Sequence, residues 1–387
     1  MSPDELAELH STARSLLSRS STSERVRQIV ATERGFDLDL WAQMVELGWT
    51  TIHVPERFGG SGCGYTELAV VLHELGRALA PSPFLASAVL TTGALMAADN
   101  EAVAVPMLDE IVAGVKRGAV AFASVSGSYE PTQRSVTWSK AGRGVRLVGI
   151  SGFVLDADVA DVFVVAARGT DDRAAAVLVH SSELASDAIH RLPTIDLTRR
   201  LFTVAFDGVR IPVERMLTEP GMRAARLLDD VLALGVVAIA VDAAGVAERA
   251  LDVTAAYARE RIQFGRPIGS FQAVKHHCAN MAVAVGASRA ATRAAAIELD
   301  QCPETWQTTA GIAASYVGPA CSNVCDLAMR VHAGIGFTWE HDAHLWMKRV
   351  KLDELLFGSP GWHRRRLAND VFPALTGQMT TTATRRI

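Results

Sequence analysis

The residues best equipped for chemistry lie in one run, Tyr257-Ala258-Arg259-Glu260-Arg261-Ile262-Gln263-Phe264-Gly265-Arg266-Pro267-Ile268-Gly269-Ser270-Phe271-Gln272. It reads as a helix that enters a tight, glycine-marked bend and then restarts. At the bend an arginine and a glutamine stand beside a flat aromatic side chain. A guanidinium fork suits a pyrophosphate, and glutamine and phenylalanine suit the edge and face of a flat heterocycle. The plain alternative is an exposed helix hairpin whose arginine makes an ordinary ion pair. Other motifs offer less. The glycine-rich Val54-Pro55-Glu56-Arg57-Phe58-Gly59-Gly60-Ser61-Gly62 lacks the lysine of a phosphate loop. Cys321 and Cys325 share a helix face with no histidine placed to complete a zinc site, so they read as packing residues. His341-Asp342-Ala343-His344 lacks the i, i+4 spacing of a helical metal pair.

Composition narrows the function classes. A chain of 387 residues, 49% apolar, is long enough for two or three domains with a large core. A net charge of -4 gives no electrostatic case for nucleic acid. The Arg364-Arg365-Arg366 triplet reads as a solvated helix face, with an anion contact as the alternative. Met1 to Glu8 carries no signal-peptide core. The longest apolar run, Val231 to Val241, stops at Asp242; it is too short for a membrane span and reads as a buried helix. Five cysteines, an odd number, suit a reducing compartment and predict a cytoplasmic protein.

The elements that must position the bend fall into three blocks of an α+β multidomain chain. Residues 1–115 read as an α-helical domain, with a polar amphipathic stretch at Ser11 to Arg27 and a clear amphipathic helix from Tyr65 to Leu79. From 116 to 215 short β-branched runs alternate with turn residues, as in Ala119 to Ser126, Val145 to Ile150, Val162 to Ala167, Ala174 to His180 and Leu201 to Val209, which predicts a small antiparallel β-domain. From 220 to 375 long Ala- and Leu-rich segments, about 222–260, 270–300, 305–335 and 342–373, predict a four-helix bundle. The small residues of Ala282 to Leu299 suit close helix packing and an oligomer interface. Residues 376–387 read as a frayed tail.

With these blocks in place, the 257–272 run closely resembles the flavin-contacting turn of the acyl-CoA dehydrogenase family. Val54 to Gly62 resembles the family's turn between two N-terminal helices, and Arg330-Val331-His332-Ala333-Gly334-Ile335-Gly336-Phe337 resembles its glycine loop beside the adenosine of FAD. The resemblance covers essentially the whole chain and is most specific in the last third. It implies the acyl-CoA dehydrogenase fold: helical domain, β-barrel-like domain, four-helix bundle. It also implies that Arg261, Gln263, Phe264 and Gln272 reach an FAD held mainly by a neighbouring subunit, joined by Arg330 and Gly334. Arg330 stands where the family has glutamine, and Ala333 where it has the first glycine. On the β-domain, Ser124-Val125-Ser126-Gly127-Ser128 and Phe153-Val154-Leu155-Asp156 correspond to the flavin shelf. Ser124 and Phe153 are its expected contacts, while Leu155 has lost the hydroxyl that serves flavin N5.

The family's reaction is α,β-dehydrogenation of an acyl-CoA, in which a glutamate takes the α-proton and flavin takes the β-hydride. By the same resemblance the glutamate position is Phe357, within Leu356-Phe357-Gly358-Ser359, and its alternative position is Gly235, beside Val236. Neither side chain accepts a proton. Asp229, Asp230, Glu340, Asp353 and Glu354 read as solvated or structurally paired acids. The chain is therefore expected to lack a catalytic residue of its own. It resembles actinobacterial family members that form hetero-oligomers and act on bulky or steroid side-chain thioesters. The implied cofactor is FAD. The implied partners are an acyl-CoA substrate, a homologous subunit in a dimer or tetramer, and an electron-transferring flavoprotein. A non-catalytic structural subunit, or a flavin oxidase or monooxygenase on the same scaffold, are the alternatives.

Overall fold

The computed structural model describes residues 1–302 and 305–371, so the tail at 376–387 lies outside the described residues. Helix α1 (Pro3–Ser20) opens with a capping box between Ser2 and Glu5. It stops at Ser21, and Thr22 caps α2 (Ser23–Val30), dividing the amphipathic stretch in two. Asp37 caps α3 (Leu38–Glu46). In the glycine-rich loop a Cβ on Gly60 would lie 2.0 Å from the Val54 carbonyl oxygen, so only glycine closes that turn. After α4 (Tyr65–Arg77), a π-helical segment, Leu85–Thr91, runs into α5 (Thr92–Met96). The Thr91 and Thr92 hydroxyls donate to the carbonyls of Ala86 and Ser87, five residues back, which suits the wider turn. Helix α6 (Glu101–Val112) ends the block.

The strands are β1 (Gly118–Ala121), β2 (Thr137–Ala141), β3 (Gly144–Val148), β4 (Ile150–Leu155), β5 (Val162–Gly169), β6 (Ala174–His180), β7 (Ile189–Arg191), β8 (Leu201–Ala205) and β9 (Arg210–Pro212). They form a six-stranded sheet, β1-β5-β2-β3-β9 with β6 on β5, and a three-stranded sheet, β4-β8-β7. The expected purely antiparallel arrangement is corrected here: β1 and β2 both run parallel to β5. Chain-adjacent β5 and β6, and β2 and β3, keep the antiparallel pairing that short turns allow. Trp138, Leu147, Phe163 and Phe206 fill a core of their own within the β-region.

The last block is α7 (Met222–Glu260), α8 (Gln272–Gln301), α9 (Trp306–His332), α10 (Ala343–Asp353) and α11 (Pro360–Val371). Helix α7 spans the expected 222–260, running through Asp242 for 39 residues, and 89% of its most apolar window is buried inside the fold. One expectation changes. The segment expected at about 342–373 is two helices. Phe357 and Gly358 take φ of +62° and +112°, which no helix continues through, and Ser359-Pro360 restarts the chain as α11, with the Trp362 N–H donating to Ser359 Oγ.

Asp242 is kept in an apolar helix by a buried ion network. Arg349 donates from Nε and Nη2 to the two Asp242 oxygens at 2.9 and 3.0 Å and from Nη1 to Thr198 Oγ1 at 2.7 Å. Arg199 donates to Asp353 at 2.9 Å and lies 3.2 Å from Asp242. A charge this deep persists only when paired. The pairing fastens α7, α10 and the 196–200 loop of the β-region together, beside the turn that carries Phe357.

Candidate functional site

The residues singled out in the sequence gather at two places. The first is a cleft of about 430 Å³ between the β-region and α10–α11, lined by Gly127, Ser128, Tyr129, Phe153, Leu355 and Trp362 among others. Phe153 is half-exposed at φ +53°, and its ring packs against Gly127. Ser124 is buried. Its hydroxyl lies 2.8 Å from Ser126 Oγ and accepts the Ser128 N–H, so the loop itself uses it. Leu155 is sunk in the main core and pairs with Leu201 across β4 and β8. The cleft thus offers an aromatic wall and no free hydroxyl at these positions.

Phe357 does not face this cleft. It is only 3% exposed, and its ring is turned inward onto α7. A Cβ built on Gly235 would lie 3.0 Å from two atoms of that ring and 3.2 Å from Leu90 Cδ2. The two positions considered for a base therefore meet in space, and one aromatic ring fills both. Tyr129 packs on the same ring with centroids 5.8 Å apart. Burial pushes the Tyr129 hydroxyl up to about 12, with hydrogen bonding to the Phe357 backbone acting against it. Tyr129 and Leu90 carry no motif signal in the sequence and emerge only from the packing.

The other acids are engaged or elsewhere. Asp230 accepts from Gln307, Glu354 accepts from Ser322 and Lys351, and Asp353 belongs to the ion network. Asp229 lines a separate slot of about 60 Å³ with His363 and Arg366. Glu340 is exposed. A further groove of about 380 Å³, walled in part by the Arg14–Glu74 pair, lies between α1, α2, α4, α7 and α10.

The second place is the far end of α7. Arg261 caps the helix, and Ile262–Gln263 pairs with Arg266–Pro267 as a minimal hairpin. Its two-residue loop, Phe264-Gly265, has φ of +52° and +77°, the signs a type I′ turn demands. Phenylalanine is an unusual occupant of the first position, and its ring is 90% exposed. Backbone strain of this kind clusters at functional sites. Arg261 makes no ion pair among the described residues, while Arg266 stacks on Phe271 at 4.2 Å. The glycine loop sits alongside: Tyr257 stacks on His332 at 4.6 Å, and Val331 packs with Ala258 and Ile268. Gly334 faces open space. Ala333 has φ +52° and ψ -135°, a conformation natural only to glycine. Arg330 is exposed and bonded to Asp326 on its own helix at 2.8 Å, and exposed Gln272 begins α8. Exposed cationic, amide, glycine and aromatic groups together suit the phosphate and adenosine end of a dinucleotide.

Gly235 and Arg261 lie 26 residues apart on α7 and its cap. At 1.5 Å per residue that is about 39 Å, beyond the reach of one extended FAD.

A helical block, a β-region with a cleft and a helical bundle ending in an exposed dinucleotide-type turn define the class of multidomain flavin-dependent dehydrogenases. The acyl-CoA dehydrogenase N-terminal domain matches residues 3–114, and the acyl-CoA dehydrogenase C-terminal domain matches residues 225–372. The chain is 32% identical over 366 residues to the acyl-CoA dehydrogenase IpdE2 of Mycolicibacterium smegmatis, covering 94% of this chain and 98% of that protein. Among solved structures, the ChsE4-ChsE5 complex from Mycobacterium tuberculosis aligns with TM-score 0.84 at 28% identity, covering 96% of this chain and 98% of that one. A variant of the Tcur3481-Tcur3483 steroid ACAD aligns with TM-score 0.85 at 26% identity, covering 96% and 99%. The chain belongs to the acyl-CoA dehydrogenase family, a family of flavin-dependent oxidoreductases.

Proposed function

We propose that this chain is one subunit of a hetero-oligomeric acyl-CoA dehydrogenase that works on a bulky, steroid side-chain class of thioester. The observation that carries the reading is the separation of its two halves. The turn end presents Arg261, Gln263, Phe264, Arg330 and Gly334 to a cofactor, and about 39 Å away along α7 the Phe357 ring lies on Gly235 and fills both base positions. In this reading Arg261 and its neighbours hold the phosphate end of an FAD seated on a homologous partner. That partner supplies the carboxylate, and bound FAD supplies the hydride acceptor. Electrons then pass to an electron-transferring flavoprotein, by analogy with the family alone. The assembly works in the cytoplasm, in keeping with five free cysteines. Two structural relatives, the ChsE4-ChsE5 complex and the Tcur3481-Tcur3483 steroid ACAD, support the pairing and the substrate class.

The test is flavin content. Purified alone, the chain should hold FAD substoichiometrically, because Ser124 and Leu155 offer the ring no free hydroxyl. Co-expression with a homologous subunit carrying an intact glutamate should restore bound FAD. One tightly held FAD per chain without a partner would overturn the reading. A second reading, a structural subunit that touches no flavin, draws on the same closed shelf; flavin affinity that does not respond to Arg261→Ala would favour it.

A further inference from the structure

We propose that the buried ion network around Asp242 holds one proton at neutral pH, on Asp353, and that this proton keeps α7, α10 and the 196–200 loop latched together. The charges do not balance without it. Three carboxyls, Asp196, Asp242 and Asp353, share the network with two guanidiniums, Arg199 and Arg349, and none of the five is more than 8% exposed. Fully ionised, the set leaves one negative charge uncompensated in the core. Arg200 does not supply the missing cation, because it pairs with Asp158. A buried carboxylate without a counter-ion is strongly disfavoured, and such a group takes a proton instead.

The geometry selects Asp353. The two oxygens of Asp242 accept from Arg349, and Arg199 stands 3.2 Å away, so Asp242 has two cations. Asp196 Oδ1 accepts the Thr198 N–H at 2.9 Å and the Thr198 hydroxyl at 2.7 Å. Both are used purely as acceptors, the role of an ionised carboxylate. Asp353 Oδ1 accepts from Arg199 Nε, but Oδ2 is buried without a hydrogen-bond partner among the described residues and stands 3.8 Å from Arg349 Nε. Asp196 Oδ2 is unbonded as well, yet its other oxygen already takes two donors where that of Asp353 takes one. A proton on Asp353 Oδ2 turns the orphan oxygen into a donor towards Asp242. Burial pushes the Asp353 carboxyl well up; Arg199 and Arg349 oppose this, while the Asp242 charge and hydrogen bonding between the two carboxyls reinforce it. Three other titratable groups face the network. Cys321 on α9 is pushed up to about 12 by burial, Glu354 on α10 is bonded to Ser322 and Lys351, and Asp156 is raised to about 7 by burial. None of them is a cation. Loss of the proton returns the unbalanced charge to the end of α10, the helix that leads into the turn at Phe357 and Gly358.

The test is urea unfolding of the full chain, wild type beside Asp353→Asn, at pH 6, 7 and 8. Asparagine keeps the shape and neutrality of a protonated aspartic acid, with a carbonyl for Arg199 and an N–H for Asp242. In the unfolded chain Asp353 loses its proton near about 4, so above that pH the wild type takes up a proton as it folds. Its unfolding constant should therefore rise, relative to that of Asp353→Asn, about tenfold for each pH unit, roughly a hundredfold between pH 6 and pH 8. Asp156 titrates in both chains and drops out of the ratio. A ratio that does not change with pH, or an Asp353→Asn chain that does not fold, would overturn the proposal. Infrared spectroscopy of the folded wild type reads the proton directly. At pH 8, above the range of Asp156, it should show the carbonyl stretch of a protonated carboxyl, and Asp353→Asn should lack it. Absence of that band from the wild type, or its persistence in the variant, would overturn the assignment.

Discussion

Replacing Gly235 with alanine adds a single methyl group, and its neighbours set the result. That methyl would lie 3.0 Å from Cδ2 and Cε2 of Phe357 and 3.2 Å from Leu90 Cδ2. Carbon atoms in comfortable contact stand about 3.5–4.0 Å apart, so the ring must retreat by about half an ångström. Tyr129 stands on the same ring, and the Phe357 backbone is already fixed at positive φ. Overpacking of this kind costs about 1–3 kcal/mol. Alanine gains about 1 kcal/mol over glycine inside a helix, leaving a net destabilisation of about 1 kcal/mol. Gly286 in α8 is the matched control, since a Cβ there meets nothing within 4 Å. Gly286→Ala should stabilise by up to about 1 kcal/mol. Urea unfolding of both variants beside the wild type should therefore give shifts of opposite sign. Adding Phe357→Leu should abolish most of the Gly235→Ala penalty, a coupling of about 1 kcal/mol. If both glycine variants stabilise alike, the ring does not rest on Gly235 and the description of the filled base position fails.

Three further outcomes are expected. In the flavin-loaded complex, Arg261→Ala should remove a charge-assisted hydrogen bond worth about 1.5–3 kcal/mol, roughly 10- to 150-fold in FAD affinity; unchanged affinity would make Arg261 a surface residue only. Ala333→Gly should raise the unfolding midpoint, because relief of about 1–3 kcal/mol of backbone strain outweighs the roughly 0.5–1 kcal/mol entropy cost of glycine; a lower midpoint would contradict the φ of +52° at Ala333. The third outcome concerns acid stability. Burial would raise Glu74, but hydrogen bonds from His73 and Arg14 outweigh it and hold the carboxyl at about 2. His73 likewise holds Glu248 at about 2. Both lie below their unfolded values, so their stabilisation is full above about 4.5 and is lost as pH falls towards 2, at most about 2–3 kcal/mol each. Calorimetry at pH 5 and pH 3 should show the loss, and Glu74→Gln should flatten it; an unchanged pH dependence in Glu74→Gln would remove Glu74 from the account.

Local signals carried the chemistry of the turn. The bend after Glu260 was legible because glycine and proline punctuate it, and Arg261, Gln263 and Phe264 stand where the helix stops. The fold class followed from changes in hydrophobic period near residues 116 and 220. The restart at Ser359-Pro360 is also written in the sequence, as a serine cap with proline at the first helical position, although the composition of 342–373 alone predicts one helix across it. Strand direction was not legible: β1 and β2 pair parallel to β5 across long connections, and nothing within a short strand encodes its partner's direction. The pairing of Asp242 was not legible, since its partners Arg349 and Arg199 lie 107 and 43 residues away in the chain. The meeting of Gly235, Leu90, Tyr129 and Phe357 is likewise a tertiary fact, visible only once α7, the Leu85–Thr91 segment and the turn before α11 are packed together.

The central claim is that this chain has no base of its own and completes its chemistry only with a partner. The most direct measurement is the rate at which the purified wild-type chain, supplied with FAD, a panel of acyl-CoA thioesters and an artificial electron acceptor, reduces that acceptor. The account predicts no turnover above the enzyme-free rate for any substrate, and turnover once a homologous subunit carrying the glutamate is added. Robust turnover by the chain alone would contradict it, placing the base among the acids assigned here to structural roles.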